Sequence, residues 1–204
     1  MNDIQEPKGT GSEPNLDQPT TRVAKLEKRK RKSRLREGLD WVITLVLAMA
    51  LAFFLRLYVV EFITVEGPSM EPTLVSDERV LIDKGIYNLF CTPQRGEIVV
   101  THFPGEKDIF IKRIVGLPGE RLEIRGGQVY IDDQPLEEPY IAAPMLQDYD
   151  EIVIPEGHYM VMGDNRNNSH DSRASVVGPI PRDLIVGRAV AISWPLDAWR
   201  GLLP

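Results

Sequence analysis

Apolar residues follow two different patterns along the chain, and the first is one long uninterrupted run. Residues 41–60 read WVITLVLAMALAFFLRLYVV, and Arg56 is the one charged residue among them. As a helix this run would be about 30 Å long, at about 1.5 Å per residue, which matches the hydrocarbon thickness of a bilayer. We therefore predict a single transmembrane helix over residues 39–60. A buried core helix is the alternative.

Basic residues are concentrated immediately before this run. Residues 22–36 contain nine Lys or Arg, and such a cluster on one side favours a membrane helix over a core helix. Positive charge stays cytoplasmic, so we expect the N-terminus inside and residues from 61 onward outside the cell membrane. Ala48-Met-Ala50 is similar to a signal-peptide cleavage site, but it lies in the middle of the run. An uncleaved signal anchor is therefore expected.

Residues 1–21 are rich in Pro, Gly, Thr, Asn and Asp and offer little to bury. With the basic cluster they predict a disordered, basic cytoplasmic tail over residues 1–38. A nucleic-acid-binding arm is the alternative for the basic cluster. We do not expect a nucleic-acid partner, because the chain as a whole is acidic, with a net charge of −6.

The second pattern is a series of short β-type runs separated by Gly and Pro. It predicts a mainly β extracytoplasmic domain over residues 61–204, an antiparallel sheet or a barrel-like fold. Gly126-Gly127 between two runs indicates a hairpin. The predicted strands are 78–83, 97–103, 109–115, 121–125, 128–132, 158–162 and 185–193.

Composition excludes several kinds of site. The chain has 204 residues, 43% of them hydrophobic, so it can form one folded domain plus an appendage. Its single cysteine, Cys91, excludes an internal disulfide framework and a Cys-based zinc site. The three histidines, at 102, 158 and 170, lack metal-ligand spacing. We expect neither a metal nor a cofactor.

Two segments place a reactive side chain in an unusual setting. Residues 65–74 read VEGPSMEPTL, where two prolines and a glycine hold Ser69 at a rigid, exposed turn. In residues 108–120, DIFIKRIVGLPGE, strand alternation puts Lys112 on the same face as Phe110 and Ile114. If that face is inward, burial lowers the pKa of the lysine and makes it a usable general base. An ordinary turn serine and an edge-strand lysine are the alternatives.

A third segment is a dense polar loop between two apolar runs. Residues 162–173 read MGDNRNNSHDSR, and Asp, Asn, Ser and Arg at such density can form a self-satisfied hydrogen-bond network. A simple surface loop is the alternative. His170 beside Asp171 suggests a Ser-His-Asp triad. Adjacent residues tend to point apart, however, so the triad is not favoured.

Together the three segments resemble the bacterial type I signal peptidases, membrane-anchored serine proteases that remove signal peptides from exported proteins. The motifs that carry the resemblance are GPSMEPTL (67–74), IKRIVGLPGE (111–120) and MGDNRNNSHDSR (162–173). The resemblance extends from about residue 39 to about residue 195. It implies that Ser69 is the nucleophile and Lys112 the general base, without a metal or cofactor.

The resemblance also implies supporting roles. A hydroxyl in the polar loop orients the lysine in the family, and Ser169 matches it. Asp171 and Arg173 match a supporting ion pair, and Arg166 falls in the same network. In the family the oxyanion hole uses the backbone N–H of the nucleophile, here that of Ser69. Many members add a Ser or Thr hydroxyl two residues earlier, where this chain has Gly67, so the sequence does not identify a second oxyanion donor.

The substrate implied by the family is an exported precursor with small residues at the −1 and −3 positions before the cut. The run Glu61–Glu66 could pair with an extended peptide, and small apolar pockets near Met70 and Leu74 would select alanine. Membrane lipid is expected as a partner, with the secretion machinery nearby. Two alternatives remain: a self-cleaving Ser–Lys protease of the SOS-repressor type, and an inactive anchored β domain that binds a partner.

Overall fold

The computed structural model describes residues 37–53 and 60–202. The chain divides into two compact units, Met1–Leu51 and Ala52–Pro204. Residues 37–53 form helix α1, with exposed side chains throughout. No helix within 37–53 or 60–202 is long and apolar enough to cross a membrane. Residues 54–59 of the predicted span, and the predicted tail up to residue 36, lie outside the described residues.

In residues 60–202 of the second unit, nearly all regular secondary structure is strand. One short helix, α2 (Gly85–Phe90), and two single 3₁₀ turns, Arg182–Leu184 and Leu196–Ala198, interrupt the strands. The strands are β1 (Val60–Thr64), β2 (Arg79–Asp83), β3 (Ile98–His102), β4 (Ile109–Gly116), β5 (Arg121–Arg125), β6 (Gln128–Ile131), β7 (Gln134–Pro135), β8 (Tyr149–Val153), β9 (His158–Met162), β10 (Ile180–Pro181), β11 (Ile185–Trp194) and β12 (Arg200–Gly201).

All seven predicted strands are present, as β2 to β6, β9 and β11. The predicted hairpin joins β5 to β6, and its two glycines have φ of 58° and 82°. Both values lie in the left-handed region that a two-residue type I′ turn requires, which explains the Gly-Gly pair. The structure adds β1, which covers part of the predicted run before Ser69, and β7, β8, β10 and β12.

The strands form two sheets, and every pairing is antiparallel. The larger sheet has the order β1-β2-β11-β3-β4-β9-β10, with β12 paired to β11, and the smaller has the order β7-β6-β5-β8. The predicted antiparallel β class is confirmed. The larger ladder is open rather than a closed barrel, since β1 and β10 each end its strand order.

Strand β4 is buried on both faces, and this is what places its lysine in the interior. Ile114 packs in one core cluster with Val99 and Phe103, whereas its neighbour Val115 packs in another with Leu122. Successive side chains of a strand point to opposite faces, so the two clusters lie on either side of β4. The strand pairs with β3 and β9 along its two edges. Any polar side chain in its middle is therefore removed from water.

Candidate active site

Ser69 lies in the loop 65–78, which connects β1 to β2. Val65 N–H donates to the Glu78 carbonyl at 2.8 Å and closes the base of the loop. Met70 and Leu74 are 1% and 0% exposed and anchor the loop in a core cluster. With Met70 and Leu74 fixed in the core, the half-buried Ser69 is held in a turn just before the first of them.

Lys112 lies in the middle of β4 and is 3% exposed. Its Nζ donates to the Oγ of Ser69 at 2.8 Å and to the Ile111 carbonyl at 3.0 Å. The same Nζ lies 5.8 Å from the centre of the Phe110 ring, on the shared face that strand alternation predicted. The structure thus brings together the two reactive side chains, 43 residues apart in sequence.

Burial lowers the pKa of Lys112 to about 8, and the negative charges of Asp171 and Asp164 act weakly in the opposite direction. The cause is the cost of keeping an ammonium ion in an interior of low dielectric constant. At pH 8 about half of the amines are therefore neutral. A neutral amine in hydrogen-bond contact with a serine hydroxyl can accept its proton.

The polar loop 162–173 packs directly on Ser69. Asn165 N–H donates to the Ser69 carbonyl at 3.1 Å. Gly163 approaches so closely that a Cβ there would lie 2.4 Å from the Ser69 carbonyl oxygen and 2.3 Å from the Oγ of Ser169. Only a residue without a side chain fits between these two groups.

Ser169 lies next to the nucleophile, but the predicted hydrogen bond to Lys112 is not formed. Its buried Oγ has no hydrogen-bond partner of normal geometry among the described residues. The hydroxyl faces Asp171 closely enough to contribute to lowering the pKa of that carboxyl group. A buried hydroxyl without a partner is uncommon, and its role as the group that orients Lys112 stays a prediction.

Asp171 and Arg173 form the predicted ion pair. Arg173 Nε donates to Oδ1 at 2.8 Å and Nη2 donates to Oδ2 at 2.8 Å. Asp171 also accepts the Gly163 N–H at 2.9 Å. Burial alone would raise the pKa of Asp171, but the Arg173 guanidinium and the Gly163 N–H outweigh it and lower the pKa. The charged Asp171 thus ties both ends of the polar loop together.

Arg166 does not join this pair, although we predicted one network. Its Nη1 and Nη2 donate to the carboxylate of Glu138 at 2.7 and 2.6 Å, and its Nε donates to the Gly163 carbonyl at 3.0 Å. The chain therefore places Arg166 on the other side of Gly163, against the segment that follows β7. Both sets of contacts hold Gly163, one through its N–H and one through its carbonyl.

Two further groups at the site were not predicted. Arg113 makes a buried two-bond ion pair with Asp164, at 2.9 and 2.7 Å, and its Nη1 donates to the Gly96 carbonyl at 2.6 Å. The Tyr140 ring lies 4.0 Å from the Arg113 guanidinium, and its hydroxyl donates to Glu138 at 2.7 Å. The available signals were that Arg113 adjoins Lys112 and that Asp164 lies in the polar loop. No sequence signal pointed to Glu138 or Tyr140.

The remaining predicted residues are placed differently. Gly67 is exposed, with φ of 79°, and no described residue accepts a hydrogen bond from the Ser69 N–H. The buried side chains of Met70 and Leu74 form core rather than open pocket walls, so their role in substrate selection stays a prediction. His170 pairs with Glu106 at 3.2 Å and is bonded neither to Ser69 nor to Asp171, so the geometry does not support a histidine triad.

Comparison with known proteins identifies the family. The sequence model described as "Signal peptidase, peptidase S26" matches residues 38–194. A probable signal peptidase I-2 from Synechocystis sp. is 42% identical over 160 residues, covering 75% of this chain and 72% of that relative. Signal peptidase I from Leptolyngbya laminosa is 40% identical over 173 residues, with coverage of 81% and 82%.

A third relative, signal peptidase I from Bacillus amyloliquefaciens, is 34% identical over 184 residues, covering 85% of this chain and 96% of that relative. The family match over residues 38–194 includes the Ser69 loop, β4 and the polar loop, and the comparisons confirm the resemblance found in the three motifs. The chain belongs to the signal peptidase family, peptidase S26, a family of serine peptidases.

Proposed function

We propose that this protein is a membrane-anchored signal peptidase I that cleaves signal-peptide-bearing precursors with Ser69 as nucleophile and Lys112 as general base. The observation that carries the proposal is the 2.8 Å contact between Lys112 Nζ and Ser69 Oγ. The lowered pKa of the buried amine supports it, because only the neutral form can act as a base. Membership of a serine peptidase family agrees with this pair.

In the proposed reaction, Ser69 Oγ attacks the carbonyl carbon of the scissile bond while its proton passes to Lys112 Nζ. The carbonyl π electrons move to the oxygen, which the Ser69 N–H stabilises. The Lys112 ammonium then protonates the leaving amine, and an acyl-enzyme forms. Lys112 next takes a proton from water, the hydroxide attacks the acyl carbon, and the protonated amine returns the proton to Ser69 Oγ. Lysine ends the cycle neutral, as it began.

Strand β1 supports the binding of an extended substrate. It ends the strand order of the larger sheet and pairs only with β2 in the described part of the chain. Its other edge can accept a peptide strand by β-addition, and its last residue, Thr64, lies five positions before Ser69. We propose that a precursor binds there with small residues at −1 and −3, against a floor that includes Met70 and Leu74.

We further propose the domain organisation that the sequence predicts. Members of the family are membrane-associated. Residues 1–38 form the cytoplasmic tail, 39–60 the single-pass anchor, and 61–204 the extracytoplasmic catalytic domain, close to lipid and to the secretion machinery. Protease added to intact spheroplasts should cleave beyond residue 61 and spare the tail. Protection of the β domain would contradict this orientation.

The function is tested by cleavage of an Ala-x-Ala precursor in detergent. Ser69→Ala and Lys112→Ala should each abolish cleavage, and Lys112→Arg should also fail because a guanidinium stays protonated. Ser175→Ala is the matched control, since Ser175 is exposed and lies outside the pair. Near-full activity of Ser69→Ala or Lys112→Ala would reject the proposal. Absence of cleavage by the wild type would instead favour an inactive β domain that binds a partner.

A further inference from the structure

Asn165 contacts the backbone on both sides of the nucleophile. Its Nδ2 donates to the Pro68 carbonyl at 3.1 Å, and its own N–H donates to the Ser69 carbonyl at 3.1 Å. A carbonyl oxygen only accepts hydrogen bonds, so the Asn165 amide presents its nitrogen to Pro68. One residue of the polar loop thus restrains two consecutive peptide groups of the Ser69 loop.

The first of these peptide groups is the one that carries the oxyanion donor. The Pro68 carbonyl and the Ser69 N–H belong to the same planar, trans unit, so they point in opposite directions. The Pro68 oxygen accepts a second bond, from the Glu71 N–H at 3.1 Å. With its oxygen held by two donors, this plane cannot rotate freely. The direction of the Ser69 N–H is then fixed as well.

Hydrogen bonding at the carbonyl end also acts on the N–H electronically. Bonds in a chain polarise one another, so donors at the Pro68 oxygen make the Ser69 N–H a better donor. No described residue accepts that N–H, which leaves it available for an oxyanion. The Glu71 bond belongs to the turn itself. The Asn165 side chain is the part of this arrangement that comes from outside the loop and can be removed by substitution.

We propose that Asn165 is a positioning residue that aims and polarises the Ser69 N–H as the oxyanion donor. The inference rests on the proposed function, because it takes Ser69 as the nucleophile. It assigns to a side-chain amide the task of orienting a backbone donor. That task matters more in this chain because Gly67 has no hydroxyl to offer as a second donor.

The polar loop supplies matched control residues. Asn168 is exposed, and its side chain makes no hydrogen bond within the described part of the chain. Asn167 binds elsewhere: its Nδ2 donates to the Pro144 carbonyl at 2.9 Å, and its Oδ1 accepts the Leu146 N–H at 2.9 Å. Asn168→Ala removes an amide from the same loop without touching Pro68, and Asn167→Ala tests loop anchoring alone.

The test measures kcat and KM on one Ala-x-Ala precursor peptide in detergent, over a range of pH, for the full chain. We expect Asn165→Ala to lower kcat by about 10- to 100-fold, with KM changed less than about threefold. Asn165→Asp, which keeps the shape but cannot donate when ionised, should lose at least as much. In Asn165→Ala the pH midpoint should stay at its wild-type value, since the change removes no charge and Asn165 makes no hydrogen bond to Lys112. Asn168→Ala should match the wild type.

A second readout separates aiming of the donor from loss of structure. A peptide aldehyde ending in alanine forms a tetrahedral adduct when Ser69 Oγ bonds to its carbon, whereas the corresponding alcohol cannot. Asn165→Ala should weaken binding of the aldehyde by a factor similar to the loss in kcat, and it should leave binding of the alcohol unchanged. The inference would be overturned if Asn165→Ala weakened binding of both compounds equally, or if it shifted the pH midpoint of activity.

The failure of this inference is distinguishable from failure of the proposed function. If Ser69→Ala is inactive while Asn165→Ala stays within about twofold of the wild type, the Ser–Lys pair stands and the positioning role is wrong. If Ser69→Ala retains activity, the proposed function itself is wrong. Thermal unfolding of Asn165→Asp shows whether a loss in kcat occurs in a folded protein.

Discussion

Gly163 lies against Ser69 with no room for a side chain, since a Cβ on Gly163 would be 2.4 Å from the Ser69 carbonyl oxygen. Atoms at that distance overlap, so even a methyl group must displace the backbone of the nucleophile. We predict that Gly163→Ala lowers kcat by about 100-fold or more. Gly201→Ala is the control, because no atom lies within 4 Å of its Cβ position. Equal activity of the two variants would show that the contact is dispensable.

Phe110 forms part of the apolar surroundings of Lys112, with its ring centre 5.8 Å from Nζ. It is stacked on Phe103 at 4.1 Å, which fixes its position. Phe110→Ala would admit water, favour the ammonium form and raise the pKa of Lys112 towards its ordinary value. The midpoint of activity against pH should rise by about one unit. Phe110→Leu keeps an apolar side chain and should shift the pH midpoint less. An unchanged midpoint in Phe110→Ala would show that Phe110 does not contribute to the lowered pKa of Lys112.

Ser169 holds a buried hydroxyl without a hydrogen-bond partner beside the nucleophile. When Lys112 accepts a proton it gains an N–H that needs an acceptor, and we predict that Ser169 supplies it. Ser169→Ala should lower kcat by about 10- to 1000-fold, a loss of about 1.4–4 kcal/mol, with little change in KM. Ser175→Ala, at an exposed position, is the comparison. Identical profiles of kcat/KM against pH for both variants and the wild type would exclude the role.

Burial of Lys112 should cost stability as well as enable chemistry. Its pKa is about 8 in the folded protein and about 10.4 when unfolded, so the unfolded state binds more protons between these values. The penalty is therefore full below about pH 8, shrinks as the pH rises from about 8 to about 10.4, and is absent above that. Lys112→Met should raise the free energy of unfolding by up to about 3 kcal/mol at pH 7. If the stability gained by Lys112→Met did not shrink between pH 8 and 10, burial of the lysine charge would not be its cause.

The strands that the sequence predicted are those with strong β-formers on a buried face. Strand β8, Tyr149–Val153, was missed because its centre is Asp150-Glu151 and three of its five residues are exposed. Its pairing with β5 comes from tertiary structure rather than from local preference. Helix α2 has only six residues, too few to show a helical period.

The two central site residues could be predicted because each lies in a distinctive local sequence. Alternation along β4 put Lys112 on the same face as Phe110 and Ile114, and the prolines around Ser69 indicated a fixed turn. The roles of both residues followed from the resemblance carried by the three motifs together. Glu138 could not be predicted as the partner of Arg166, because the pair joins segments 28 residues apart through the folding of a loop. We predicted instead that Arg166 would belong to the network of Asp171 and Arg173, because the family resemblance placed it there.

The pH dependence of kcat/KM for the wild type tests most directly the claim that the neutral amine of Lys112 activates Ser69. On one precursor peptide in detergent, between pH 6 and 10.5, activity should rise tenfold per pH unit and level off with a midpoint of about 8. His170→Ala should leave that midpoint unchanged. A midpoint near 6.5 that disappears in His170→Ala, or activity that is flat between pH 6 and 9, would contradict the account.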